Sequence, residues 1–442
     1  MFGLPATLLG VRLIRGFASR WLPASSMQGV HALIVSGLAV IVVWSLFSRV
    51  LERLHIAGPL AVIVLGALSG LLFGEDLGEH LDTDVAEKVV EIVLAVLLFV
   101  DATEVRRGFL GGEGRIVARL LSIGLPGALI LTALACMLLL PGTPWAVILV
   151  LACIITPTDF AASAGMLRDT RIPARVRHSL NVESGYNDGL VSPLFIFALA
   201  VAEGQEAEGI GPALESALWA SLIAVLVGAI VGGATGVMMQ VAHRKNWLTA
   251  QSLRIGIVMI PLLVYVLAIQ FNGNGFVAAF VAGIAFRSGR LEHRRSDSSL
   301  DHAEMSAVDD LGFLSSLGVW FVFGAVIILA AETGVNWVLI ALGVLALTVL
   351  RVVPVHAALW GSALRWRERT AIGLAGPRGT ASVVFGLLAF NALREDYANL
   401  ALYLTIVVVL GSVVFHGVIA PRMIVALTHD ASSAPATTAD KN

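Results

Sequence analysis

Apolar positions along this chain come in runs of about 20 residues, enough to cross roughly 30 Å of hydrocarbon as a helix. Thirteen such segments are predicted: 30–49, 56–74, 88–105, 116–140, 144–167, 176–202, 213–241, 251–271, 275–288, 311–331, 335–360, 368–391 and 397–427. The fold class this pattern predicts is all-α and polytopic. Two features depart from plain hydropathy. Segment nine is short, and segments five and six carry acidic residues at mid-depth.

Composition points the same way. Of 442 residues, 57% are hydrophobic and only 14% charged, against about 25% charged in a soluble domain. The net charge of −2 provides no basic field for nucleic acid. Cys136 and Cys153 lie inside apolar runs and read as small buried hydrophobes, with no disulfide framework, metal site or cofactor implied. Residues 1–29 hold Arg12, Arg15 and Arg20 among apolar residues. They fit a short interfacial amphipathic helix or an over-extended start, and they lack a signal-peptide cleavage pattern. Residues 428–442 are rich in Ala, Ser and Thr and read as a short disordered tail.

Charge tests the segment count, because positive loops favour the cytoplasmic side. Loops after odd-numbered segments hold twenty basic residues. They are Arg49, Arg53; Arg106, Arg107, Arg115, Arg119; Arg168, Arg171, Arg175, Arg177; Arg244, Lys245, Arg254; Arg287, Arg290, Arg294, Arg295; and Arg365, Arg367, Arg369. Loops after even-numbered segments hold Lys88 and Arg394 and are acidic around Glu75–Glu87 and Glu203–Glu208. One miscounted segment would scramble this alternation. The reading places the N-terminus outside and the C-terminus in the cytoplasm.

Segments one and eight begin near 30 and 251, and segments six and thirteen near 176 and 397, both 221 residues apart. A linking helix at 213–241 then joins repeat one (30–202) to repeat two (251–427), and an even-numbered half plus one linker inverts the second half. Segment five is interrupted at Thr156-Pro157-Thr158-Asp159 and segment twelve at Gly376-Pro377-Arg378-Gly379, 220 residues on. Paired interruptions in inverted halves are the architecture of secondary transporters.

Polar groups deep in a membrane are costly and read as functional. Pro157 removes a backbone donor. A helix opened there frees carbonyls which, with the hydroxyls of Thr156 and Thr158, can ligate a bare cation, and Asp159 would head the second half-helix. Segment six carries Glu183-Ser184-Gly185-Tyr186-Asn187-Asp188, in which residues four apart share a face: Glu183 with Asn187, Ser184 with Asp188. Low dielectric favours the neutral form of a carboxylate. A carboxylate at bilayer depth can therefore hold a proton near neutral pH and yield it to a cation. Arg378 cannot be deprotonated in practice. It reads as a structural counter-charge, either for half-helix C-terminal ends or for Glu183. Asp101 and Glu104, beside Arg106 and Arg107, read as an interfacial cluster, with a funnel as the lesser reading. Glu91 reads as water-facing. His178 and His416 show no ligand spacing and read as packing or loop residues.

Thr158-Asp159, then Glu183-Ser184-Gly185-Tyr186-Asn187-Asp188-Gly189, then Gly376-Pro377-Arg378-Gly379 resemble the bacterial Na⁺/H⁺ antiporters of the NhaP type, in the monovalent cation:proton antiporter family that includes the animal Na⁺/H⁺ exchangers. Ser412-Val413-Val414-Phe415-His416-Gly417 is similar to the family's last span. The resemblance runs from about 30 to 427. It implies a thirteen-span homodimer in the plasma membrane, with a dimerisation domain and a mobile core working by alternating access. It implies cation binding at Asp159 and Asp188, with Asp188 as the exchanged carboxylate. Thr158 and Ser184 would assist as ligands, and a Glu183–Arg378 ion pair would support the site. Electrogenic relatives carry Asp-Asp where this chain has Asn187-Asp188, so the implied exchange is electroneutral, one cation for one proton. Phe160 replaces a family Pro and Tyr186 a family Leu, which leaves Na⁺, K⁺ and Li⁺ open. Two other classes fit the residues less well. A cation channel or K⁺ efflux system lacks filter loops here. An intramembrane aspartyl protease lacks the Gly-Xaa-Gly-Asp pattern, and Gly211-Pro212-Ala213-Leu214 lies at the outer start of segment seven.

Overall fold

A computed structural model of the chain describes residues 26–53, 57–73, 84–104, 113–203, 210–291, 299–332 and 334–429. Most of the predicted amphipathic start and the tail lie outside them. Helix covers each predicted segment, and no strand occurs among the described residues. In chain order the helices are α1 (Ser26–Arg53), α2 (Gly58–Phe73), α3 (Asp84–Glu104), α4 (Gly114–Leu139), α5 (Trp145–Ile155), α6 (Ala164–Arg168), α7 (Ala174–Ala202), α8 (Ile210–Arg244), α9 (Ala250–Gln270), α10 (Gly275–Leu291), α11 (Ser299–Glu332), α12 (Trp337–Leu347), α13 (Val349–Ala358), α14 (Trp366–Leu374), α15 (Thr380–Ala392), α16 (Glu395–Val414) and α17 (Ala420–His429). Among the described residues, eight helices are long and apolar enough to cross a membrane unaided, and α2, α5 and α15 are shorter apolar helices.

Local chemistry sets the helix ends. Thr249 and Ser252 form a reciprocal capping box on α9. The Asn274 side chain accepts from the N–H groups of Phe276 and Val277 to start α10, and Asn336 does the same for α12. Two widened turns were not foreseen. Leu120–Gly124 in α4 and Phe415–Ile419 between α16 and α17 are π-helical. Each ends two residues before a proline, Pro126 and Pro421. A proline has no N–H for the preceding turn and its ring crowds the carbonyl four residues back, so the helix widens ahead of it. Segment eleven also divides, at Thr348, into α12 and α13.

The helices pack as two groups. One contains α1–α3 and α8–α11; the other contains α4–α7 and α12–α17. In the first, α8 and α10 lie closest. Gly228, Gly232 and Gly236, four apart on one face of α8, let its backbone approach the carbonyls of Ala278, Ala282 and Phe286. Gly66 of α2 and Gly324 of α11 make a similar crossing against Phe321 and Ile63. In the second group the loops on one face are stitched by arginines. Arg177 donates to the carbonyls of Ile172 and Leu167, Arg369 to those of Leu364 and Ser362, and Arg119 to that of Trp360. Only 11% of the apolar stretch of α1 and 22% of that of α8 is buried within the chain, against 56% for α7. The first two are therefore peripheral and α7 is central. Exposed Trp145, Trp247, Trp337, Trp360 and Trp366 sit at helix ends, where amphipathic rings meet a membrane interface.

The α8–α10 crossing yields a prediction. Gly232→Val places methyl groups against the Ala282 backbone, which is expected to destabilise the protein by about 1–3 kcal/mol. The check is a lowered unfolding temperature in detergent, with Gly211→Val, at a position open around its Cβ, as the unaffected control.

Candidate ion-binding site

The two predicted interruptions lie against each other. Helix α5 stops at Ile155 and α14 at Leu374, and the chain runs irregularly through 156–160 and 375–379. The Asp159 N–H donates to the Pro377 carbonyl at 2.9 Å. The Asp159 carboxylate then caps two helix starts. Its Oδ2 accepts from the Thr380 N–H at 2.6 Å and from the Thr380 hydroxyl, at the first turn of α15. Its Oδ1 accepts from the Ala161 N–H at 2.7 Å, at the short turn leading to α6. A negative group there is favoured by the dipole of α15. The approach needs Gly379, since any Cβ at that position would collide with the Asp159 carboxylate.

Arg378 meets the opposite ends. It is 2% exposed. Its Nε donates to the carbonyl of Ile155, the last residue of α5, at 2.6 Å. Its Nη2 donates to Ala346 near the end of α12 at 3.2 Å, and its Nη1 donates to Gly376. These are carbonyls that interrupted helices leave unbonded, and a guanidinium supplies donors in a fixed fork to reach them.

Helix α7 contributes the third wall. Ser184 Oγ and Asn187 Nδ2 donate to the Thr158 carbonyl at 2.9 and 3.1 Å, and Asn187 Nδ2 also meets the Thr158 hydroxyl at 2.6 Å. Thr158 is thus the joint between the break and α7. Asp188 is 3% exposed, and the charges acting on it are Asp159, which repels, and Arg378, which attracts. Three buried acceptors here have no partner among the described residues: Thr156 Oγ1, Asn187 Oδ1 and Asp188 Oδ1. Buried oxygens are seldom left so, and hard oxygen donors are what a bare alkali cation takes in place of water. A cavity of about 580 Å³ reaches this site from one face. Asp159, Ser184 and Thr380 stand along it, and Asp101, Asp309 and Asp310 contribute further carboxylates to its walls.

One expected contact is corrected. Glu183 does not pair with Arg378. It pairs with Arg351 of α13 through two parallel bonds of 3.0 Å, both side chains buried. The reason is reach and demand. Helix-end carbonyls surround the Arg378 guanidinium, whereas Arg351 presents two nitrogens to both carboxylate oxygens, the fork geometry that arginine favours. Sequence reasoning missed Arg351, although a lone arginine inside segment eleven carries the same signal of cost in hydrocarbon as Arg378.

A family model described as sodium/hydrogen exchanger, transmembrane, matches residues 34–426. The chain belongs to this family. An Na⁺/H⁺ antiporter of Schizosaccharomyces pombe is 26% identical over 401 residues, covering 85% of this chain and 82% of that protein. A K⁺/H⁺ antiporter, NhaP, of Alkalimonas amylolytica is 26% identical over 385 residues, covering 82% of this chain and 61% of that one. The structure of the sodium proton antiporter MjNhaP1 from Methanocaldococcus jannaschii at pH 8 superposes with a TM-score of 0.74 at 20% identity, over 91% of this chain and 99% of the other. The NhaP-type resemblance and the antiporter fold read from the motifs are borne out.

Within this exchanger chain the structure hydrogen-bonds Ser184 and Asn187 to Thr158, whose chain neighbour Asp159 is bonded to Ala161, Pro377 and Thr380, with Asp188 and Arg378 in electrostatic range of each other. Asp101 lines the cavity rather than an interfacial cluster alone, and the Glu104 side chain lies outside the described residues. Glu91 is engaged as well. It accepts from the Tyr265 hydroxyl at 2.6 Å and pairs with Lys88 at 2.7 Å.

The Glu183–Arg351 pair makes a prediction. Arg351→Met leaves Glu183 charged and unpaired in an apolar interior, with an expected loss of about 3–5 kcal/mol. Adding Glu183→Gln is expected to recover most of that loss. Unfolding in detergent of the two single variants and the double variant checks this, and equal losses in the Arg351 single and the double variant would show the charges uncoupled.

Proposed function

We propose that this chain exchanges a monovalent cation for protons across a membrane, one for one and without net charge movement. Na⁺ is the proposed cation, with K⁺ and Li⁺ as the alternatives to be ranked by titration. The observation that carries the reading is the crossed pair of broken helices, with unpartnered oxygens of Thr156, Asn187 and Asp188 beside it and a carboxylate-lined cavity leading in. Asp188 is the proposed exchanged carboxylate and Asp159 the second ion-binding carboxylate. Thr156, Thr158, Ser184 and Asn187 are the proposed neutral ligands.

The charges support a stoichiometry of one. Around the break stand three carboxylates, Asp159, Glu183 and Asp188, and two guanidiniums, Arg351 and Arg378. With all ionised the cluster carries −1. One bound monovalent cation neutralises it, and so does one proton on Asp188. Asn187 adds no second proton carrier. A low-dielectric site strongly disfavours net charge, so cation and proton compete for the same vacancy in charge.

The rest of the reading is proposed with it. The two six-helix halves are inverted repeats of a thirteen-span protein, and transport proceeds by alternating access in a homodimer of the plasma membrane. The N-terminus is outside and the C-terminus cytoplasmic. On that orientation, supported by the twenty basic residues on one side, the carboxylate-lined cavity faces the cytoplasm. The proposed role is that of a transporter, not an enzyme.

The test is dissipation of a pH gradient in proteoliposomes, titrated with Na⁺, K⁺ and Li⁺. A saturable cation-driven signal is expected, and an imposed membrane potential is expected to leave its rate unchanged. Asp188→Asn is expected to abolish the signal while the variant still elutes as folded protein. Normal exchange by that variant would refute the role given to Asp188, and single-channel currents would favour a channel.

A further inference from the structure

The last-span motif Ser412–Gly417 has no part in the cation site described so far, yet two of its residues hold the α14–α15 break from behind. His416 is 1% exposed and Ser412 fully buried. His416 Nε2 lies 3.0 Å from the carbonyl of Leu374, the last residue of α14. Ser412 Oγ accepts from the Arg378 N–H at 2.7 Å and lies 3.1 Å from His416 Nδ1. The pairs Leu374/His416 and Arg378/Ser412 are therefore two rungs, four residues apart on each strand of the contact. Together they bracket residues 375–377.

The hydrogen bonds assign the imidazole. A carbonyl only accepts, so Nε2 carries a proton and donates to Leu374. Ser412 Oγ already accepts from Arg378, so its own hydrogen is free to donate to Nδ1. Nδ1 also lies 3.1 Å from the Ser412 carbonyl, while the Nε2–H donation to Leu374 holds in either case. The π-helical turn Phe415–Ile419, widened ahead of Pro421, carries His416.

We infer that His416 and Ser412 are positioning residues for the cation site. They fix the backbone of the break, and so fix both the Pro377 carbonyl that binds the Asp159 N–H and the Thr380 N–H that caps its carboxylate. They touch no ion. Their effect is on how well Asp159 is presented, and so on apparent cation affinity. This inference builds on the proposed exchange, but its first test does not need it.

That first test is amide hydrogen exchange of the full chain in detergent. A Gln side chain places its amide near Nε2 and keeps the donor to Leu374, whereas Asn falls short. His416→Asn is expected to speed exchange in segment 375–380 by about tenfold, the scale of one lost hydrogen bond. His416→Gln is expected to stay near wild type. In proteoliposomes, His416→Asn and Ser412→Ala are expected to raise the apparent KM for the cation about five- to tenfold, with the rate at saturating cation largely kept and rescue in His416→Gln. Unchanged amide exchange in His416→Asn, or equal damage from Gln and Asn, overturns the inference. A wild-type chain that moves no cation would instead overturn the proposed function, and leaves the amide-exchange result standing.

Discussion

The Arg378 guanidinium joins the carbonyl ends of α5 and α12, together with the Gly376 carbonyl of its own break, and every other part of the site depends on that contact. Interrupting a helix in hydrocarbon leaves carbonyls with no water to turn to. A single five-donor side chain at the crossing satisfies carbonyls from three stretches of chain and offsets the negative helix ends at the same time. With those ends met, the matching starts can be capped by a carboxylate. Asp159 at the head of α15 and Arg378 beneath α5 are thus two halves of one solution.

The interior is consequently charged but closely paired. Glu183 and Arg351 tie α7 to α13, Thr158 ties the break to α7, and His416 with Ser412 ties it to α16. Packing then supplies rigidity. The aromatic rings of Phe195 and Phe385 stack at 4.4 Å between α7 and α15, and α15 is buried along most of its length. Thr156, Asn187 and Asp188 each keep a buried oxygen without a partner among the described residues beside this bonded set.

Much of this was legible in the sequence for a reason. Charge in an apolar run is costly enough to be rare, so Asp159, Glu183, Asp188 and Arg378 stand out, and Pro157 and Pro377 mark where helices must open. The alternation of arginine-rich loops made the thirteen-segment reading self-consistent. Partner choice was not legible. Whether Glu183 meets Arg351 or Arg378 depends on which carbonyls lie within a few ångströms, and only the crossing of α5 and α14 decides it. The role of His416 was hidden similarly, because its partners are a backbone carbonyl 42 residues away and a serine one turn back. The π turns could have been suspected from Pro126 and Pro421, since the missing N–H is local chemistry.

The division into two helix groups has a mechanical consequence. Each hydrogen bond and ion pair described above joins partners within the same group. Tyr265 to Glu91 lies in one, and Arg378, Asp159, Glu183 and His416 with their partners lie in the other. Across the boundary Tyr186 packs edge-on to Phe280 at 5.7 Å, with the Phe280 ring seated in the notch that Gly189 leaves, and the Arg287 charge acts on Tyr186. Hydrogen bonds are directional and resist sliding, whereas dispersion contacts exchange one neighbour for the next at little cost. A shear along the boundary would carry the bonded residues of the break as one solid cassette, so the proposed ligands would keep their geometry while the packed surface slides.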